Sequence, residues 1–574
     1  MISSPAITTR NSLADWYSKE NADQKSIPDL ILHTILRKFD SNDLPTFLNP
    51  SISSMPSPLL LKNIRESIAL LIKSIQLNRK ILIVGDYDVD GISSTALLVR
   101  FLKEINYDNI QYFIPSRFEH GYGLTEKALP PILAMKAELV ITVDTGITAK
   151  KEIGVLLGEG IDVIVTDHHS PQDENIPDCL VINPKLQGCQ FPFKNISGVG
   201  VAYLFLVGLR MELRNQNYWP KKEDEPNLMK HLDLVALGTV ADQVPLVGLN
   251  RIFVRYGLEQ MTRWSQSGYA GPFFHYLKVF AEKHRTRFFN CETIGFYLGP
   301  LLNAAGRLKD ASTAIQFLLS ASESEADQLL NTLEKMNIKR RQLQQKMARK
   351  AQEQADQVVA SQQGLLIYDE SFHEGLIGII ANRLSEQYHL PAIVGTKDDH
   401  GVIKYSCRSK HLNILEILKS CEGFLSQYGG HANAAGCCLR EDNLSQFNKR
   451  FYQVCSEFGA QQKPEIITTD IEITLDMANA ILFEQLKILE PFGQENRRPL
   501  LMLSNLSLPA PLVMTGKHLK WHLRYDLEMM FWKGVNRFRD SETYTVACTI
   551  GESFFQGERK TQLVVKALSP SPCF

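Results

Sequence analysis

The stretch ILIVGDYDVDG, Ile81 to Gly91, decides the fold. Its first half is an unbroken apolar run of strand-forming residues. It reads as a strand buried on both faces, the kind found in parallel sheets. Asp86, Asp88 and Asp90 follow at once, so the strand delivers carboxylates to its C-terminal rim, the edge on which open α/β sheets carry their sites. Two further runs repeat the device: VITVDTG, Val140 to Gly146, ends in Asp144, and VTDHH, Val165 to His169, ends in Asp167, His168 and His169. Carboxylates gathered on one rim repel one another unless a cation neutralises them, so the pattern points to metal-dependent chemistry. Along an extended segment Asp88 and Asp90 point the same way and could each hold one of two neighbouring ions, with Asp144 bridging them. Oxygen and imidazole donors without thiolate favour two Mn²⁺ or Mg²⁺ ions over structural Zn²⁺, although such a set also binds Zn²⁺. A lone Asp at a strand end is as readily the cap of the next helix. Capping does not call for adjacent histidines, and the three strand ends together therefore read as a metal centre.

Outward from these runs, strands and helices alternate from Lys80 to about Asn183, which predicts a doubly wound α/β domain with a mainly parallel sheet. A more helical stretch follows, with SGVGVAYLFLVGL at Ser197 to Leu209 and DLVALGTVADQVPL at Asp233 to Leu246; Asp242, near the end of the second apolar run, is a further candidate ligand. From Ser322 to about Ala360 the chain is rich in Glu, Gln, Lys and Arg, with Leu and Met at helical spacing, and predicts one long helix joining two lobes. A second, smaller α/β domain begins at GLLIYDESFHEGLIGIIANRL and closes near a glycine turn, YGGHANAAG, Tyr428 to Gly436. Beyond Pro464 short β-rich runs predict a small barrel of the OB type, a common single-strand binder, in which Trp521, Phe531, Trp532 and Lys533 would offer aromatic and basic surface. The expected division is a helical segment over 1–75, the metal-bearing domain over 76–320, the connecting helix over 321–360, the second domain over 361–460 and the barrel over 461–574. The helical expectation for the first segment rests on LILHTILRKF and SPLLLKNIRESIALLIKSI.

At 574 residues the chain exceeds a single core, and its 44% hydrophobic and 22% charged composition is that of a globular protein. No apolar stretch is long enough to span a bilayer, MISSPAITTR lacks a secretory core, and ten cysteines occur without a C-x-x-C pair. A cytoplasmic setting is expected. The formal net charge of −1 argues against coating nucleic acid through bulk charge but leaves room for a local groove. Basic runs at Lys283 to Arg287, Lys339 to Arg341 and Lys517 to Arg524 are more often solvated faces than ligand sites.

Taken in order, GDYDVDG, VDTG, TDHH, ALGTVADQVPL, NAAGR, YSCRS and GGHANAAG resemble the DHH phosphoesterase superfamily, and within it the RecJ single-strand-specific 5′→3′ exonucleases. The resemblance implies a two-lobed core of DHH and DHHA1 domains with a C-terminal OB-fold, and a hydrolase that releases 5′-mononucleotides in DNA repair and recombination. It implies that Asp88, Asp90, Asp144, His168 and Asp242 bind the metals, with Asp86 beside them, and that His169 contacts the scissile phosphate. Ser406 and Arg408 of YSCRS would form the pocket for a 5′-phosphate, with Arg117 reaching it from the first lobe, Tyr122 against the terminal nucleotide and His431 on the phosphate backbone.

One departure stands out: where the family commonly carries Arg before the LNAAGR motif this chain has Leu301, which removes one expected strand contact, whereas Arg307 is retained. The expected partner is single-stranded DNA with a free 5′ end and no membrane; a single-strand-binding protein or a helicase is left open as a recruiting factor. A relative acting on short oligonucleotides or cyclic dinucleotides would need no barrel, and a non-catalytic DNA-binding scaffold would have lost ligands that are all present here.

Overall fold

The computed structural model describes residues 6–9, 31–32, 35–36, 44–121, 123–266, 274–308, 310–398, 401–459, 466–555 and 558–571. A short strand β1 (Ala6–Thr9) and helix α1 (Ile64–Gln76) precede five strands: β2 (Ile81–Gly85), β3 (Ile110–Phe113), β4 (Leu139–Val143), β5 (Asp162–Thr166) and β6 (Leu180–Ile182). All four pairings in this sheet are parallel, in the order β3-β2-β4-β5-β6. Alternation along the strands sends Ile81, Ile83, Leu139, Ile141 and Ile164 to one face, where α2 (Val89–Glu104), α4 (Gly198–Asn215) and α5 (Leu232–Ala241) seal them. Leu82, Val84, Val140, Val163 and Val165 go to the other, against Leu129, Ile132 and the Ile153 and Leu156 side chains of α3 (Lys150–Gly158). The sheet is thus covered on both sides, as the apolar runs require.

Strand order reverses at β2, because the chain steps to β3 on one side and returns to β4 on the other, which leaves a crevice above the C-terminal ends of β2 and β4. Gly85 pairs with Val143, and Val143 with Thr166. Asp86, Asp144 and Asp167, the next residue in each strand, therefore leave the sheet at one level. A buried ion pair, Arg100 to Asp233 at 3.0 Å, fastens α5 to α2, and Tyr276 donates its hydroxyl to the same carboxylate at 2.7 Å.

The first domain continues through α6 (Gly248–Gln266) and α7 (Gly299–Leu308) to the connecting helix α8 (Glu323–Val358), whose 36 residues span roughly 54 Å. Ser322 caps it by accepting from the Glu325 amide at 3.2 Å. Its Ala326, Leu330 and Leu333 belong to the first core and its Met347, Ala348, Ala351 and Ala355 to that of the second domain, so one apolar stripe anchors both lobes.

The second domain is a five-stranded sheet, ordered β10-β11-β9-β8-β7, built from β7 (Leu365–Tyr368), β8 (Ala392–Lys397), β9 (Val402–Arg408), β10 (Gln427–His431) and β11 (Ala434–Arg440). Helix α9 (Ile377–Tyr388) covers one face at the β7 and β8 end, and the helices Ile414–Lys419 and Leu444–Gly459 cover the other. The glycine turn expected at YGGHANAAG is a hairpin, with the glycines inside strands β10 and β11 and the turn at Ala432–Asn433. Gly430 is required there, since its φ is 137° and a Cβ would stand 2.5 Å from the Ala434 carbonyl oxygen.

The C-terminal part is a seven-stranded sheet with its own apolar core. Two expectations about this region need correction. Trp521 is only 1% exposed, and Phe531 is likewise buried. Along the strand His518–Arg524, Leu519 and Trp521 point inward, and the indole N–H is satisfied by the Pro509 carbonyl at 3.0 Å, so this ring cannot stack on a base. Among the described residues of this part, Trp532 and Tyr525 are aromatics that stand exposed. The described residues among the first 75 do not form a separate helical segment either. Strand β1 pairs in parallel with β12 (Ile466–Thr469), and Ile31, Ile35 and Phe47 pack into the C-terminal core, whereas Leu61, Ile64 and Ile68 pack into the first one. Of the expected helix LILHTILRKF only Ile31, Leu32, Ile35 and Leu36 are described, and they are helical. No helix among the described residues is long and apolar enough to cross a membrane.

Candidate metal centre

Asp88 and Asp90 do not lie on an extended segment. The strand ends at Gly85, and Asp88 is the N-cap of α2, its Oδ1 accepting from the amides of Asp90 at 2.9 Å and Gly91 at 3.2 Å. Both readings of a strand-end Asp are thus realised in one residue, because a carboxylate has a second oxygen to offer after capping. Asp90 sits in the first helical turn, buried, and is gripped by the N-terminus of α4: the Gly198 amide donates to its Oδ2 at 2.6 Å and the Val199 amide to its Oδ1 at 2.9 Å. Two glycines make room, since a Cβ on Gly198 would stand 2.5 Å from Asp144 Oδ1 and one on Gly238 would stand 2.5 Å from Asp90 Oδ1.

Asp144 adopts a left-handed backbone, φ 59°, which Asp tolerates better than most residues and which swings its carboxylate over the crevice. Asp242 caps the C-terminal end of α5 and faces His168 Nε2 at 3.6 Å. The donor atoms cluster into three overlapping groups: Asp86, Asp88 and Asp144; Asp90, His168 and Asp242; and Asp144, His168 and His169. The structure therefore brings together every ligand read from the sequence, with Asp144 common to two groups. Asp86, expected only beside the ligands, stands as a full member of one.

The electrostatics fit a cation. Burial pushes Asp86 up to about 8, helped by the charge of Asp88, and pushes Asp242 up to about 7; Asp90 and Asp144 are raised well above 3.8 by burial and then by the neighbouring carboxylates. Burial also lowers His168 to about 3, which leaves its imidazole neutral and able to coordinate. Most telling, Asp144 Oδ1 and His168 Nε2 are buried, 3.1 Å apart, and have no hydrogen-bond partner among the described residues. Buried polar atoms are normally satisfied, and a divalent ion satisfies both at once.

This arrangement has a measurable consequence. A carboxylate whose folded-state value lies above 3.8 stabilises the fold below that pH and loses the contribution as pH rises through the folded value, here toward 7 to 8. His169, raised toward 9, acts in the same direction over this window. Chelated protein should therefore melt at least about 2 °C lower at pH 8.5 than at pH 6.5, and Mn²⁺ should raise the midpoint more at pH 8.5. A midpoint independent of both pH and Mn²⁺ would mean that the cluster is not a cation site.

Asp167 plays a part that its position in the motif did not reveal. It is buried, and its carboxylate accepts from the amides of Ile147, His168 and His169 and from His169 Nδ1 at 2.8 Å, so it orients the second histidine and does not face the cluster. Burial alone would lower His169, but the Asp167 bond outweighs it and lifts the imidazole to about 9. Gly198, Val199 and Gly238 also shape the site; their signal in the sequence is no more than the small residues at the start of SGVGVAYLFLVGL and the lone glycine of DLVALGTVADQVPL.

A second cluster lies where the lobes meet. The Arg408 guanidinium donates to Ser406 Oγ at 3.1 Å and to the Cys407 carbonyl at 2.8 Å. These two side chains share one face of β9 and sit beside the first turn of α9, where a Cβ on Gly378 would be 3.0 Å from Ser406 Oγ. Arg117 stacks its guanidinium 5.6 Å from the Tyr87 ring. Its charge is felt both by Asp86 in the metal cluster and by Arg408, which burial and then this neighbour hold below the usual guanidinium value. Arg307, lowered to about 10 by burial and by Arg117 and Arg340, donates to the Gly375 carbonyl at 3.3 Å and so also ties the lobes together. None of these arginines pairs with a carboxylate among the described residues, which leaves an anion-seeking surface adjoining the metal cluster. His431 is exposed and in register with Ala434, which pairs with Arg408; Gly429, Gly436 and Ser406 form the next row. Small residues thus leave a bare strip of sheet between His431 and the arginine. Tyr122 lies outside the described residues. Leu301 is 3% exposed within the first core, so at this position the side chain supplies packing and no polar group.

Residues 80–239 match the DHH family, N-terminal domain, residues 356–457 the DHHA1 domain and residues 469–567 the RecJ OB domain. The chain is 34% identical to the single-stranded-DNA-specific exonuclease RecJ of Dickeya dadantii over 91% of its own length and 93% of that protein's, and 32% identical to the Escherichia coli protein of the same name over the same shares. The crystal structure of RecJ in complex with Mn²⁺ from Thermus thermophilus superposes with a TM-score of 0.79 at 28% identity, covering 99% of this chain and 80% of that one. Catalytic core, second lobe and C-terminal domain occur in one order along nearly the whole chain, and the protein belongs to the RecJ family of single-stranded-DNA-specific exonucleases.

Proposed function

We propose that this chain hydrolyses single-stranded DNA from a free 5′ end, releasing 5′-mononucleotides with two Mn²⁺ or Mg²⁺ ions, in the service of DNA repair and recombination. The observation that carries the reading is the pair of buried, unsatisfied atoms, Asp144 Oδ1 and His168 Nε2, at the centre of a carboxylate cluster that adjoins arginines without a carboxylate partner among the described residues. Asp86, Asp88 and Asp144 would hold one ion and Asp90, His168 and Asp242 the other, with Asp144 shared. When bound, two such ions acidify a water and neutralise charge on the phosphoryl oxygens. His169, kept cationic and fixed in orientation by Asp167, donates toward a non-bridging oxygen of the scissile phosphate. Arg117, Ser406 and Arg408 receive the terminal 5′-phosphate, and the step size follows from the fixed spacing between that pocket and the metal cluster. The bare strip ending at His431 supports the backbone of a single strand. A single-strand-binding protein or a helicase would act by delivering such a strand.

Digestion of single-stranded and duplex DNA labelled at either end, with Mn²⁺, with Mg²⁺ and with chelator, tests the reaction. The expected result is metal-dependent release of mononucleotides from 5′ ends of single strands; release from 3′ ends would overturn the polarity. Arg408→Ala is expected to lower the preference for 5′-phosphorylated over 5′-hydroxyl ends by about 10- to 100-fold, because a charge-assisted contact contributes roughly 1.5–3 kcal/mol. Lysine restores only part of it, since a point charge lacks the planar fork. Equal slowing on both ends would move Arg408 to a general backbone contact.

A further inference from the structure

We infer that Arg251 is a positioning residue that locks the C-terminal domain onto the loop following Asp242 and thereby sets where that carboxylate stands. The inference rests on the proposed role of Asp242 as a metal ligand. Arg251 lies in the first turn of α6, is 1% exposed, and is held by backbone carbonyls. Its Nε donates to Phe47 at 2.9 Å, Nη1 to Leu489 at 2.9 Å and Nη2 to Ile488 at 3.2 Å, with the Phe47 ring 3.9 Å from the guanidinium carbon. A buried cation with no carboxylate partner among the described residues carries a desolvation cost, and what it provides in return here is geometry, since three distant chain segments meet on one planar group. Asn496 tightens the same cup by donating to the Leu489 and Pro491 carbonyls, both at 2.8 Å.

The clamped loop reaches the metal centre within a few residues. The Leu246 amide donates to the Gln494 carbonyl at 2.8 Å, and Gly493 seats Leu246 so closely that a Cβ there would stand 2.5 Å from its Cδ1. Between Asp242 and Arg251 the backbone turns twice through the left-handed region, at Gln243 and Gly248, and Asn250 fastens the Pro245 carbonyl at 2.9 Å. Backbone amides hold the carboxylates of Asp88 and Asp90, whereas that of Asp242 accepts no hydrogen bond among the described residues. Its place follows from the backbone that carries it, and the C-terminal domain anchors that backbone. The domain is therefore part of the scaffold of the metal centre as well as a platform for the strand.

The test uses the full-length protein, calorimetric Mn²⁺ titration, and a 5′-phosphorylated dinucleotide alongside long strands. Arg251→Ala and Gly493→Ala should each weaken the lower-affinity Mn²⁺ site about tenfold and slow dinucleotide hydrolysis at limiting Mn²⁺, with excess Mn²⁺ restoring it. Arg251→Lys, which reaches a single carbonyl, should fall between. Unchanged Mn²⁺ affinity in Gly493→Ala and Arg251→Lys, with any defect confined to long strands, would overturn the proposal. If Arg251→Ala does not fold, Gly493→Ala decides, because it keeps the arginine and disturbs only the seat of Leu246. Failure of the wild type to cleave any strand would refute the nuclease reading, while the Mn²⁺ titrations would still decide the role of Arg251.

Discussion

Asp144→Ala is expected to lower hydrolysis of single-stranded DNA by at least about 1000-fold, since losing the shared ligand forfeits several kcal/mol of charge stabilisation in the transition state. Asp144 belongs to two of the three ligand groups, its Oδ1 is buried with no hydrogen-bond partner among the described residues, and it follows the strand beside the point where the sheet reverses its order. Single-strand binding should stay measurable, because Arg408, Ser406 and His431 belong to the other lobe. Alanine also strains a left-handed backbone, so Asp144→Asn is the sharper variant: asparagine accepts φ 59° and keeps the shape while removing the charge. Single-turnover cleavage of a labelled oligonucleotide, paired with a Mn²⁺ titration, reads both consequences. Activity above a few percent in Asp144→Asn would remove this residue from the centre of the mechanism.

The second large effect belongs to the Asp167–His169 pair. His169→Ala should lower turnover by about 100- to 1000-fold, the cost of removing one preorganised donor, with Mn²⁺ occupancy largely intact. Loss of a metal on titration would instead make His169 a ligand. Asp167→Asn should act through pH. In the wild type His169 stays cationic up to about 9, so the donor is lost only as pH rises through that value. Without the carboxylate the imidazole falls back toward its ordinary 6.5, and the decline in turnover should begin about one to two pH units lower. Identical pH profiles for the two proteins would show that Asp167 supports the loop and not the charge of the histidine.

Much of the molecule was legible in its residues because the physics involved is local. A strand buried on both faces is apolar along most of its length, so Ile81–Gly85, Leu139–Val143 and Asp162–Thr166 declare themselves, and the carboxylates that follow them fall at the rim. The stripe along Glu323–Val358 likewise shows where one helix touches two cores. Elsewhere local reading misled. The alternation of Asp88 and Asp90 fits an extended segment, yet the strand stops at Gly85, because the helix start depends on the Asp88 carboxylate accepting from two amides. Trp521 fits the surface equally well in sequence, since an aromatic residue beside lysines suits either side of a strand, and which side faces the core depends on the register with Met529.

Amino-acid identity alone pointed to the parallel sheet and to a rim of carboxylates and histidines on it, because side-chain chemistry and hydrophobic period are written residue by residue. Tertiary structure alone decided that the amides of Gly198 and Val199 grip Asp90 across 108 and 109 positions of chain, and that Arg251 gathers carbonyls from Phe47 and Leu489 across 204 and 238. It also decided that β1 pairs with a strand near the far end of the molecule. Backbone amides and carbonyls are common to nearly every residue, so a contact made through them leaves no mark in the sequence, and only the folded chain shows which of them meet.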